Sequence, residues 1–155
     1  MARETDSPAV LVFPPLLFGA GLAAGLLLHW IRPAPGPHPM INRVAGLVIL
    51  VISIILARSA ETAMKRAGTN IRPDRPTLAI VTDGPFRFSR NPLYLAAAGL
   101  YLAVALLVNT LWPLLLLVPV LLVLHWGVIR REERYLEAKF GDSYREYRAR
   151  VRRWV

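Results

Sequence analysis

The chain has 155 residues, 55% of them hydrophobic and 19% charged, with 19 Lys and Arg against 10 Asp and Glu for a net charge of +9. A soluble domain carries about 45–50% apolar and about 25% charged residues, whereas here Ser7 to Ile31 and Asn91 to Ile129 contain no Lys, Arg, Asp or Glu at all. That segregation excludes an ordinary soluble enzyme, a disordered chain and a collagen-like one, and the lack of cysteine excludes disulfide frameworks and thiol chemistry.

The pattern predicts an all-α integral membrane protein, a single membrane domain over residues 1–155. Crossing about 30 Å of hydrocarbon takes about 20 apolar residues in a helix. Residues 9–31 meet that length, with Pro14-Pro15 placed to break or bend the first turn. A cleaved signal peptide is the alternative, disfavoured by the length of the stretch and its spread of small residues. Gly21 and Gly25 form a small-xxx-small pair suited to close helix packing. The second span is read over 41–57, with Arg43 and Arg58 snorkelling at its ends. A linker, 58–91, follows.

The uncharged run 91–129 is long enough for two spans, 92–108 and 111–129, turned at Asn109-Thr110. Pro119 should kink the second and free a carbonyl. The remainder, 130–155, is a helical tail. The linker holds seven Lys and Arg, the tail nine, and Arg3 precedes the first span, which puts 17 of the 19 on one side of a four-span chain. By the positive-inside rule both termini are then cytoplasmic. The basic excess serves topology and the anionic surface of the lipid bilayer, and nucleic acid is not an expected partner.

The cytoplasmic segments are the informative ones. Residues 69–76 read as an extended, proline-punctuated piece, Leu78 to Val81 as an apolar stretch and Thr82 to Pro85 as a turn. Asn91 before Pro92 reads as an N-cap with proline at the first helical position, so a helix would open there with its amides towards the linker. Arg90 beside it suits either an anion site or a headgroup anchor. In the tail, Gly141 should end one helix, and Ser143 to Glu146 reads as a capping box opening another. Tyr144, Tyr147 and Val151 share a face of that last helix, for packing or for the interface.

Glu132 follows His125 by seven positions, which places both on one face of a continuous helix. The Glu132-Glu133 pair serves a ligand, or Glu133 pairs with Arg130 and Glu137 with Arg134 along the helix. His125 lies deep in an otherwise uncharged run, where it is either functional or satisfied by a backbone carbonyl. No glycine-rich phosphate loop, paired-histidine metal pattern or Gly-x-Ser-x-Gly elbow is present, and no metal is expected.

The run Thr82 to Tyr94, with its Gly84-Pro85-Phe86 turn and Arg90-Asn91-Pro92-Leu93-Tyr94, resembles the signature of membrane methyltransferases related to isoprenylcysteine carboxyl methyltransferase. Glu132-Glu133, Phe140-Gly141, Tyr144, Tyr147 and Val151 to Trp154 continue that pattern, and phospholipid N-methyltransferases share it more loosely. The resemblance covers about Gly68 to Trp154. One position departs: the family's histidine is Asn91 here, so a role that needs an imidazole does not carry over.

The resemblance implies S-adenosylmethionine bound at the cytoplasmic face by linker, hairpin and tail. It would be held by Gly84, Pro85, Phe86, Arg90, Asn91, Tyr94, His125, Glu132 and Glu133, with Glu132, Glu133 and Arg153 at the reaction. The acceptor would be a lipophilic small molecule or lipidated group arriving sideways from the bilayer. Two readings compete. One is an NADPH-dependent reductase of sterol-reductase type; the other is a non-catalytic four-helix membrane protein, in which these motifs are anchors and salt bridges.

Overall fold

The computed structural model describes residues 7–72 and 74–155. Arg3 and Pro73, used above in the charge balance and the linker reading, lie outside the described residues. The helices are α1 (Pro14–Ile31), α2 (Pro39–Arg66), α3 (Pro92–Leu107), α4 (Leu111–Leu124), α5 (Arg130–Phe140) and α6 (Asp142–Arg150). A 3-10 turn occupies Gly84–Arg87, and a π-helical turn, His125–Ile129, joins α4 to α5. Among the described residues there is no strand, only an isolated bridge between Pro35 and Thr110.

Among the described residues, three helical stretches are long and apolar enough to cross a membrane: Pro14–Ile31, Pro39–Arg66 and Leu111–Phe140. α3 is apolar but only 16 residues long, about 24 Å at 1.5 Å per residue. Exposed Val44, Leu47, Val48, Val51, Ile52 and Ile55 make a continuous stripe along α2. In water so large an apolar patch would drive association; against acyl chains it needs no cover.

The helices pack in the order α2, α3, α4, α1. Small residues permit the close approaches. A Cβ on Gly25 would strike the backbone of Pro113, one on Gly21 would strike Val120, and one on Gly99 would strike Ser53. Phe18, Tyr101, Val120, Leu124, Val128 and Ile129 form the central core. At one end the α1–α2 loop is stitched to the α3–α4 turn. Asn109, at φ +56°, donates to the Gly36 carbonyl and accepts from Asn42, while the Leu111 amide donates to Ala34. The other end carries the linker and the tail.

Several expectations are corrected here. α1 starts at Pro14 rather than residue 9, because proline at the first helical position sets the start and residues 7–13 run outside the helix. α2 continues nine residues beyond Ala57, since nothing breaks it until Gly68, whose φ of +66° ends it. Its length is about 42 Å, so its last turns outrun the hydrocarbon and shorten the linker. α4 contains Pro119 within one continuous helix, and a π turn follows it. The capping box at Ser143 does not form. Gly141 occupies the N-cap of α6, no side chain caps it, and Ser143 lies inside the helix.

Candidate functional site

A cavity of about 400 Å³ opens where the ends of α1, α2 and α3 meet the linker, α5 and α6. That volume falls in the range of small-molecule sites. Its polar lining includes Thr69, Asn70, Arg72 and Thr77 in the linker, Arg90 and Asn91 before α3, Tyr94 on α3, Glu132 and Glu133 on α5, and Tyr144 and Tyr147 on α6. Phe13, Phe18, Phe86, Leu93 and Leu136 are among the apolar residues that complete it.

Local structure explains how these groups converge. Phe86 is buried against Ala60 and Val81, which fixes the 3-10 turn to α2. The Tyr147 hydroxyl donates to the Phe86 carbonyl at 2.8 Å, tying α6 to the same turn. The C-terminal residues fold back beside 89–91: the Arg90 amide donates to the Arg152 carbonyl at 3.0 Å, and the Ser89 hydroxyl donates to the Arg153 carbonyl at 3.3 Å. Thr69 Oγ1 accepts from the Leu78 amide at 2.9 Å, folding the linker on itself.

The two adjacent carboxylates occupy different electrostatic settings. Glu133 is buried and meets two guanidinium groups, Arg90 Nη1 at 3.1 Å from Oε1 and Arg153 Nη2 at 2.7 Å from Oε2. Glu132 is partly buried and accepts a hydrogen bond from the Tyr94 hydroxyl at 2.6 Å, on its Oε1. The hydrogen bond to Glu133 raises the Arg153 pKa above its ordinary value. Burial, and then the Glu133 charge, raise that of the Tyr144 phenol. Tyr144 therefore stays a neutral hydroxyl and accepts from Arg90 Nη1 at 3.4 Å. The Arg90 Nε is buried with no hydrogen-bond partner among the described residues.

Of the residues singled out from the sequence, Phe86, Arg90, Asn91, Tyr94, Glu132 and Glu133 line the cavity. Gly84, Pro85, His125 and Arg153 do not. Gly84, at φ +57°, lets the chain turn against Ala63 and Ser59 of α2 and borders a separate surface depression. Arg153 stands behind Glu133, and its Nη1 lies 3.4 Å from His125 Nε2. His125 and Glu132 therefore do not act as one face. The π turn between them inserts an extra residue into the helical register, so His125 shares Arg153 with Glu133, eight positions on.

Three further expectations change. Glu133 pairs with Arg90 and Arg153 rather than Arg130, and Glu137 pairs with Arg148 at 2.8 Å rather than Arg134. Asn91 stands at the N-cap of α3 but its side chain does not cap. Its Nδ2 instead donates to the Arg153 carbonyl at 3.0 Å, and its amide donates to Ser89 Oγ at 3.1 Å. Tyr144 and Tyr147, read as packing residues, also face the cavity.

The sequence reading missed the contribution of Pro8, Phe13, Pro14 and Phe18, and of Met64 and Thr69 to Arg72. Phe13 and Phe18 carried a faint signal as the aromatics that flank Pro14-Pro15. Nothing in the spacing distinguished them from lipid-facing residues.

Residues 41–143 match the family model for phospholipid methyltransferases. An uncharacterized protein of Haemophilus influenzae is 57% identical over 35 residues, a match that covers 23% of this chain and 56% of that relative's length.

Proposed function

This chain belongs to the phospholipid methyltransferase family, and from that premise we propose that it transfers a methyl group from S-adenosylmethionine to a lipophilic or amphiphilic acceptor at the cytoplasmic membrane face. One observation carries the reading. The cavity gathers an arginine with an unpaired buried donor, a carboxylate without an ion-pair partner among the described residues, and aromatic walls. Those are the groups that a zwitterionic, aromatic, cationic ligand requires. The residues present fit S-adenosylmethionine.

Arg90, which lines the cavity, receives the carboxylate next to the start of α3. Glu132 accepts from the amino group or ribose hydroxyls, with Tyr94 orienting it, and Phe86 packs against the adenine. Glu133 is a different case. Both its oxygens are engaged by guanidinium groups, so it orients Arg90, and Arg153 holds Glu133 in turn. Bound S-adenosylmethionine supplies an electrophilic methyl on an already activated sulfonium. What remains for the protein is to align the acceptor and keep water out, which the apolar lining does.

The reading includes four spans with both termini cytoplasmic, α3 crossing as the shortest. Calorimetry on detergent-purified protein tests the cofactor assignment. S-adenosylmethionine and S-adenosylhomocysteine should both bind and NADPH should not. Binding of NADPH alone would overturn the assignment in favour of a reductase, and binding of none would favour a non-catalytic protein.

A further inference from the structure

Residues 7–13 lie ahead of α1 and outside the stretch that matches the family model, yet they form part of the cavity wall. Pro8 and Phe13 line the cavity, as do Pro14 and Phe18 on the first turns of α1. The outer side of the same segment is apolar and exposed: Leu11 is 65% and Leu16 68% accessible. This short stretch therefore separates an apolar interior from the surface where acyl chains lie.

The segment is held by the buried Pro8, by Val10 packed on the central core, and by two hydrogen bonds to the helix that follows α4. The Leu11 amide donates to the Gly127 carbonyl of the π turn at 3.0 Å, and Arg131 Nη1 donates to the Ala9 carbonyl at 3.1 Å. The Arg72 guanidinium stands 5.5 Å from the centre of the Phe13 ring. Ala9 holds φ +47°, a left-handed conformation that an alanine adopts at a cost. A segment with a strained residue, lying between an apolar space and an apolar exposed face, is suited to opening.

We propose that residues 7–13, with Phe13 and Phe18, form the gate through which the aliphatic chain of the acceptor passes from the bilayer into the cavity. The proposal rests on the methyltransferase reading for its purpose, though not for its test. The π turn acquires a role in it. The Gly127 carbonyl within that turn is the latch for Leu11.

The latch can be locked. A Cβ placed on Gly127 would lie 3.7 Å from the Leu11 Cβ, within the separation a disulfide spans. The chain has no cysteine of its own, so a Leu11→Cys, Gly127→Cys pair can bridge only with itself. The double variant in lipid nanodiscs is illuminated with a diazirine-bearing palmitic acid, oxidised or after dithiothreitol, and adducts are mapped by mass spectrometry. With the bridge reduced, adducts should appear on interior Phe18 and Ala97 as well as on the outer stripe of α2. On oxidation the interior adducts should fall to the unilluminated background, the α2 adducts should persist, and reduction should restore the former. Equal interior labelling in both states, or none in either, overturns the gate. Calorimetry with S-adenosylhomocysteine on the same samples reports separately on the cofactor assignment, which fails only if that ligand does not bind.

Discussion

Arg153 grips Glu133 with two parallel hydrogen bonds, Nε to Oε1 at 2.9 Å and Nη2 to Oε2 at 2.7 Å. Bidentate geometry of this kind is the strongest that an arginine and a carboxylate form. It fastens the end of the chain to α5, while Arg90 reaches the same carboxylate from the linker at 3.1 Å. Three segments meet on one buried charge. The consequence is a division of labour between neighbouring glutamates, and the predictions follow from it.

Glu133→Gln should destabilise the fold more than Glu132→Gln. Removing one partner of a buried ion pair costs about 3–5 kcal/mol, and here two buried or half-buried guanidinium groups lose their counter-charge. Glu132→Gln leaves Tyr94 an oxygen to donate to, so its melting temperature should stay near that of the parent. Thermal unfolding in detergent measures both. Equal melting temperatures for the two variants would contradict the division.

For S-adenosylhomocysteine the ranking reverses. Losing a partner of a buried charged hydrogen bond in a complex costs about 2–5 kcal/mol, or about 30-fold or more in affinity. Glu132→Gln should show that loss while still folded. If calorimetry finds it binding as the parent does, the ligand lies elsewhere.

Asn91 tests the departure from the family pattern. Its Nδ2 and the Ser89 hydroxyl both donate to the Arg153 carbonyl, so Asn91→Leu removes the shorter of two hydrogen bonds, about 0.5–1.5 kcal/mol, and should loosen the tail. An imidazole N–H can donate to the same carbonyl, so Asn91→His should keep substantial methyl transfer. Its pH–rate profile should match the parent's. A new inflection near the ordinary histidine pKa of about 6.5 with a large gain in rate would mean that this position does proton chemistry.

Single cysteines at exposed Pro37 and Ala67 report the topology. An impermeant maleimide added to intact cells should label position 37 and spare position 67. The opposite pattern would invert the orientation derived from the basic residues.

Gly25→Val should be destabilising, because the new side chain has no room beside the Pro113 backbone. Overpacking of this type costs about 1–3 kcal/mol. Gly19→Val, with nothing within 4 Å of its Cβ, is the matched control. The difference between their melting temperatures is the measurement, and equal values would place α1 away from α4.

The sequence by itself determined that this protein is helical and built for a membrane. Uncharged runs too long for a soluble domain are a property of composition, and Gly141 marks a helix end because only glycine adopts its positive φ without strain. The order of Gly84-Pro85-Phe86, Arg90 to Tyr94 and Glu132-Glu133 was enough to point to a methyltransferase family. Only the tertiary structure decided the partners. Arg153 on Glu133, Arg148 on Glu137, and Phe13 and Phe18 in the cavity wall are meetings of segments distant in sequence. The π turn changed which residues share a face, since one extra residue shifts the register by about 100°. Helical periodicity reports burial and facing within one element. The partner of a buried charge is set by where other elements pass, and that is a property of packing.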